Sequence, residues 1–163
     1  MEQLHPFPWF DAATILMLIA LNGVFAMSEL AIVSARTAKL KAMADDGSRG
    51  ALAALRLGRD PGKFLSTIQI GITLIGVING AYSGSALGQP VGERLAALGM
   101  PADWAATTGF GLVIGITTYL SLVVGELVPK QFALIAPERI AVIMAAPMEL
   151  LARLTAPIVW LLD

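Results

Sequence analysis

Ala12-Ala13-Thr14-Ile15-Leu16-Met17-Leu18-Ile19-Ala20-Leu21-Asn22-Gly23-Val24-Phe25-Ala26 carries no charge, and Asn22 is its one strongly polar side chain. With its flanks it forms an apolar run from about Trp9 to Ser34. A helix rises ~1.5 Å per residue, so about 20 such residues cross the hydrocarbon layer. The run reads as a membrane span interrupted by Asn22, Ser28 and Glu29. No A-x-A pattern closes it cleanly, so it is expected to be a resident helix and not a cleaved signal.

The rest of the chain agrees. Of 163 residues, 56% are hydrophobic and 14% charged, against about 25% charged in ordinary soluble domains. Mean hydropathy is +0.75. Two further apolar runs follow, at about 64–88 and 104–135, joined by a polar connection at 89–103 with Pro90 and Pro101 as expected breakers. Between the first two spans, residues 36–62 and the adjoining Lys63 are basic, with Arg36, Lys39, Lys41, Arg49, Arg56 and Arg59. Leu40, Met43, Ala44, Ala51, Leu52 and Leu55 keep helical spacing there. Gly47 and Gly50 mark a turn, so a helical hairpin on the membrane surface is expected. Residues 138–163 form a last helical stretch. Glu149 and Arg153 lie one turn apart near its centre, and a lone charge at the centre of a lipid-facing helix costs roughly 2.5 kcal/mol or more. A kinked juxtamembrane helix, broken at Pro147 and Pro157, is therefore favoured over a fourth span. The fold class is an all-α membrane domain of three transmembrane helices. The basic hairpin predicts a cytoplasmic 36–62 loop and carboxyl terminus with the amino terminus outside.

Several chemistries drop out. There are no cysteines, the single histidine is His5 in the polar lead-in, and net charge is −1. Thiolate metal sites, a Ser-His-Asp triad and nucleic-acid binding are not expected, and no enzyme activity is read. Two acids lie within the apolar runs. Glu29 is about a turn from the first basic residues and either reaches the interface or serves a polar cavity. Glu126 is flanked by Leu122-Val123-Val124-Gly125 and Leu127-Val128, and an acid at that depth points to an ion path.

Gly125-Glu126-Leu127-Val128-Pro129-Lys130 is the sharpest local signal. Pro129 lacks an N–H and opposes the carbonyl four residues back, that of Gly125. That carbonyl must find a partner in a membrane. A hard cation is one, as at the broken helices of transporters; water or a neighbouring helix is another. Gly76, Gly80, Gly84 and Gly88 recur every fourth residue, which reads as close helix packing within a subunit or across a dimer. Asn79 beside them is either an oxygen ligand or an interhelical clamp. Ser28 would by default bond its own backbone at i−4. Ser28, Asn79, Glu126 and the Gly125 carbonyl form an all-oxygen set that suits Mg²⁺, Ca²⁺ or Na⁺ over softer metals.

Three spaced motifs resemble the transmembrane domain of the CorC/CorB and cyclin M (CNNM) family, also called hemolysin-like. They are Leu21-Asn22-Gly23-Val24-Phe25-Ala26-Met27-Ser28-Glu29-Leu30, Phe64-Leu65-Ser66-Thr67-Ile68-Gln69-Ile70-Gly71, and Gly125-Glu126-Leu127-Val128-Pro129-Lys130 with Pro137-Glu138-Arg139. The resemblance implies a homodimer in the plasma or inner membrane that exports Mg²⁺ in exchange for Na⁺. It implies metal ligands at Ser28, Asn79, Gly125 and Glu126, with Glu29, Gly80, Pro129 and Lys130 in support. It also implies a cytoplasmic CBS-domain pair, absent from these residues. The alternative is a Mg²⁺-sensing anchor for that regulatory module, without transport of its own.

Overall fold

A computed structural model describes the backbone of residues 6–162 and the side chains of residues 6–154; His5 lies outside the described residues. It is helical throughout, in the order α1 (Trp9–Ser34), α2 (Thr37–Asp45), α3 (Arg49–Arg59), α4 (Pro61–Ala97), α5 (Ala102–Leu122), a π-helical turn (Val123–Leu127), α6 (Val128–Ile135) and α7 (Pro137–Leu162). No strand occurs among the described residues. Three stretches are long and apolar enough to cross a membrane: Trp9–Ser34, Pro61–Ala97 and Ala102–Ile135.

The helix ends follow local chemistry. The Ser48 hydroxyl accepts from the Ala51 N–H at 3.2 Å and starts α3, a side-chain cap on an otherwise orphaned donor. Pro61 opens α4 where its missing N–H costs nothing. Gly47 and Gly99 take φ of 93° and 100°, the left-handed turn that ends a helix and that glycine adopts without strain. After Gly99, Met100 N–H donates to Leu95 O at 3.2 Å, which consumes one of the last free carbonyls of α4.

Three expectations need correction. Pro90 does not end the second span; α4 runs through it to Ala97. Proline removes one hydrogen bond, and close packing on α5 offsets that loss: a Cβ on Gly92 would lie 3.0 Å from Ala105 O, and one on Gly109 would lie 2.5 Å from Gly92 N. Gly50 is not part of the hairpin turn. It sits in the first turn of α3, pressed on the Val142 backbone of α7. Finally, α7 is one helical element from Pro137 to Leu162, with Pro147 and Pro157 inside it.

Two cores result. One joins the end of α1, the α2–α3 hairpin, the start of α4 and α7 around Phe64, Ile68, Ala51, Ala141 and Met148. The other joins α1, α4 and α5 through Ile15, Ile19, Leu87 and Val113. Ion pairs bind α7 to the hairpin. Glu138 is buried and receives Arg36 Nε at 2.8 Å and Lys39 Nζ at 3.2 Å. The Arg36 guanidinium, aided by Lys39, holds its carboxyl down at about 2 against the opposing push of burial. Glu149 accepts Arg56 Nε at 3.0 Å and Nη2 at 2.8 Å, with Arg153 Nη2 at 2.9 Å; these contacts, led by Arg56, lower its pKa. The charges near the middle of α7 are thus neutralised along the hairpin.

Candidate cation site at a π-helical turn

Pro129 sets the local geometry. With no N–H at position 129, the chain widens by one residue, and Val128 N–H donates back to Val123 O, a five-residue step. Single π turns of this kind recur at functional positions in long helices. The turn carries Gly125 and Glu126 between α5 and α6.

Helix α1 closes on this turn. A Cβ on Gly23 would meet Pro129 Cγ at 2.9 Å, and one on Gly125 would meet Ile19 O at 3.2 Å. Two glycines therefore permit the approach, and the approach brings in Asn22. Its Nδ2 donates to Gly125 O at 3.0 Å. The Gly125 carbonyl, expected to be freed by Pro129, thus has a protein partner while keeping a second lone pair. The Asn22 Oδ1 is buried and accepts nothing.

A second polar seam joins α4 and α5. Asn79 is 3% exposed and donates Nδ2 to Ser121 Oγ at 3.0 Å. A turn further on, Ser83 Oγ and Thr117 Oγ1 share a hydrogen bond of 3.1 Å. The clamp expected of Asn79 is present, but its Oδ1 is also buried and unpartnered. A buried acceptor without a donor costs about 1–3 kcal/mol, so each of these oxygens is a candidate to accept from a donor or to ligate a cation.

Of the expected site residues, Glu126 is partly exposed, and Lys130 Nζ lies 2.7 Å from its Oε1. Lys130 is thus the counter-ion of Glu126, one turn along the same segment. Ser28 is fully buried and donates to Val24 O at 2.6 Å, the i−4 backbone bond. Gly80 O accepts Ser83 Oγ at 3.1 Å, and a Cβ on Gly80 or Gly76 would meet nothing. Glu29 is half-buried and has no hydrogen bond or ion pair among the described residues. No hydrogen bond directly links Ser28, Asn79 and Glu126 to one another. Sequence reasoning missed Asn22, taken only as a polar interruption, and Ser121; the Leu-Asn-Gly step before Val24 was the available signal. No cluster of three or more His, Cys, Asp or Glu side chains occurs among the described residues. A cation bound here would therefore rest on neutral oxygens around one carboxylate.

Three apolar crossings, a basic surface hairpin and a polar site at a broken helix define an integral membrane domain of the α-helical polytopic class. The chain belongs to the cyclin M family: the cyclin M transmembrane N-terminal domain (CNNM) matches residues 13–163. Among similar proteins, UPF0053 protein sll0260 of Synechocystis is 49% identical over 91% of this chain and 33% of its own length. UPF0053 protein YhdT of Bacillus subtilis is 35% identical over 90% of the chain and 32% of its own length. The polyamine export protein of Escherichia coli K12 is 32% identical over 90% and 32%. The chain thus spans about one third of the length of these relatives.

Proposed function

We propose that this domain exports a hard cation, Mg²⁺, in exchange for inward Na⁺, as half of a homodimer that carries a cytoplasmic CBS pair in the longer protein. The supporting observation is a pair of buried amide oxygens without a hydrogen-bond donor, Asn22 Oδ1 and Asn79 Oδ1. Asn22 lies on α1, which packs on the π turn that carries the carboxylate Glu126, and Asn79 lies on α4, bonded to Ser121 of α5 ahead of that turn. Mg²⁺ demands about six oxygens and sheds water reluctantly. Neutral amide, hydroxyl and carbonyl oxygens with one charge would bind it firmly enough to select it and weakly enough to release it. Lys130 pairs with Glu126 at 2.7 Å and would give way to an entering cation. Gly76 and Gly80 have open faces, which suits a second subunit packing there.

One contact favours a second reading. Lys130 shows that Glu126 accepts an alkylammonium at 2.7 Å. A polyamine presents the same group, and several relatives are named polyamine export proteins. The Mg²⁺ reading rests on the oxygens of Asn22 and Asn79; the polyamine reading needs only Glu126.

Proteoliposomes separate these readings. Loaded with Mg²⁺ or with spermidine, they should release Mg²⁺ faster when an opposing Na⁺ gradient is imposed. Release of spermidine alone would select the polyamine reading. Cation binding with no flux of either would leave a sensing anchor.

A further inference from the structure

A cavity of about 380 Å³ opens where α1 and α4 leave the membrane-crossing region and meet the α2–α3 hairpin. Its floor is apolar and buried: Ile32, Leu40, Ala54 and Phe64. Its rim carries two cations, Lys41 and Arg59, both exposed. The neighbouring basic residues are engaged: Arg36 and Lys39 with Glu138, Arg56 with Glu149, and Lys63 with Asp60 at 3.6 Å. Neither Lys41 nor Arg59 has an ion pair among the described residues. Two positive charges without an ion pair therefore stand over an apolar hollow beside the end of one membrane-length helix, Trp9–Ser34, and the start of another, Pro61–Ala97.

We propose that this cavity binds one anionic phospholipid, its phosphate between Lys41 and Arg59 and the start of an acyl chain on the Ile32–Phe64 floor. The cations and the apolar floor complement the two ends of such a lipid in charge and polarity, at the ends of two membrane-length helices. Juxtamembrane cations attract acidic headgroups over zwitterionic ones, and an apolar floor favours an amphiphile over a free anion. A bound lipid would tie α2–α3 to the ends of α1 and α4, and so fix the hairpin on which α7 is seated.

The test is native mass spectrometry of the protein released from mixed phosphatidylglycerol and phosphatidylcholine nanodiscs. Wild type should retain one phosphatidylglycerol in preference to phosphatidylcholine. The double variant Lys41→Gln/Arg59→Gln should lose about tenfold or more of that retention, whereas Arg49→Gln, which removes a free cation outside the cavity, should not. Gly58→Phe is a second probe. Gly58 lines the cavity, and a Cβ there meets nothing within 4 Å, so the ring can fill the hollow without disturbing the core, and it should displace the lipid. Equal retention of both lipids, an equal loss in Arg49→Gln, or full displacement by inorganic phosphate at matched concentration would overturn the proposal. Retention unchanged in Gly58→Phe, with the helical circular dichroism of wild type, would do the same.

Discussion

The Asn22 amide donates to the Gly125 carbonyl at 3.0 Å, joining α1 to the π turn that Pro129 creates. One proline thereby shapes two helices: it releases a backbone acceptor, and a residue more than 100 positions earlier answers it. The answering amide is left with a spare oxygen beside Glu126's segment.

Asn22→Leu removes the donor and leaves Gly125 O buried without it. The expected cost is about 1 kcal/mol, given the modest value of interhelical hydrogen bonds in membranes. Thermal unfolding in detergent should show a lowered midpoint. Asn22→Val should fall similarly, because it too lacks a donor; a midpoint equal to wild type in both would remove the bond from any structural role.

Lys130→Gln should strengthen Mg²⁺ binding. The cation no longer competes with an ammonium for Glu126, and a half-exposed ion pair is worth at most about 1 kcal/mol, roughly a fivefold change. Calorimetric titration reads this directly. Weaker binding in Lys130→Gln would mean that Lys130 organises the site instead of occupying it.

Acid should loosen the hairpin from α7. The Glu138 carboxyl is held at about 2, below the ordinary value of 4.5. Its stabilising contribution is therefore complete above about 4.5 and declines as the pH falls toward 2. Glu149 shifts in the same direction and adds to the trend. Hydrogen exchange of residues 37–59 should quicken between neutral pH and pH near 3, after correction for intrinsic rates. Glu138→Gln should exchange faster at neutral pH and lose much of this dependence.

The glycines of α4 should divide into two groups. Gly109→Val on the facing helix, or Gly92→Val, forces α4 and α5 apart and should lower thermal stability by about 1–3 kcal/mol. A Cβ on Gly80 meets nothing within 4 Å; Gly80→Leu should keep the wild-type helical signal while weakening the proposed dimer in light scattering. A monomer-level loss of folding in Gly80→Leu would contradict the open face.

Much of this was legible beforehand. Apolar run length alone identifies α1 and the two later crossings, and the spacing of Leu40, Ala51 and Leu55 identifies the surface hairpin. Pro129 signals a disturbed helix and names Gly125 as the residue losing a bond. The continuation of α4 beyond Pro90 was not legible, because it depends on Gly92 meeting Ala105 and Gly109 of another helix. Asn22 as the partner of Gly125, and Ser121 as that of Asn79, were hidden for the same reason: each bond joins segments distant in sequence. Lys130, on the other hand, lies four residues from Glu126, and that spacing already permitted an ion pair.

The most direct measurement is Mg²⁺ efflux from proteoliposomes containing wild type or Glu126→Gln, at equal incorporation and with an inward Na⁺ gradient. Wild type should empty the vesicles of Mg²⁺, and Glu126→Gln should remain at the leak rate of protein-free vesicles. Wild-type efflux by Glu126→Gln would contradict a transport site built on this carboxylate.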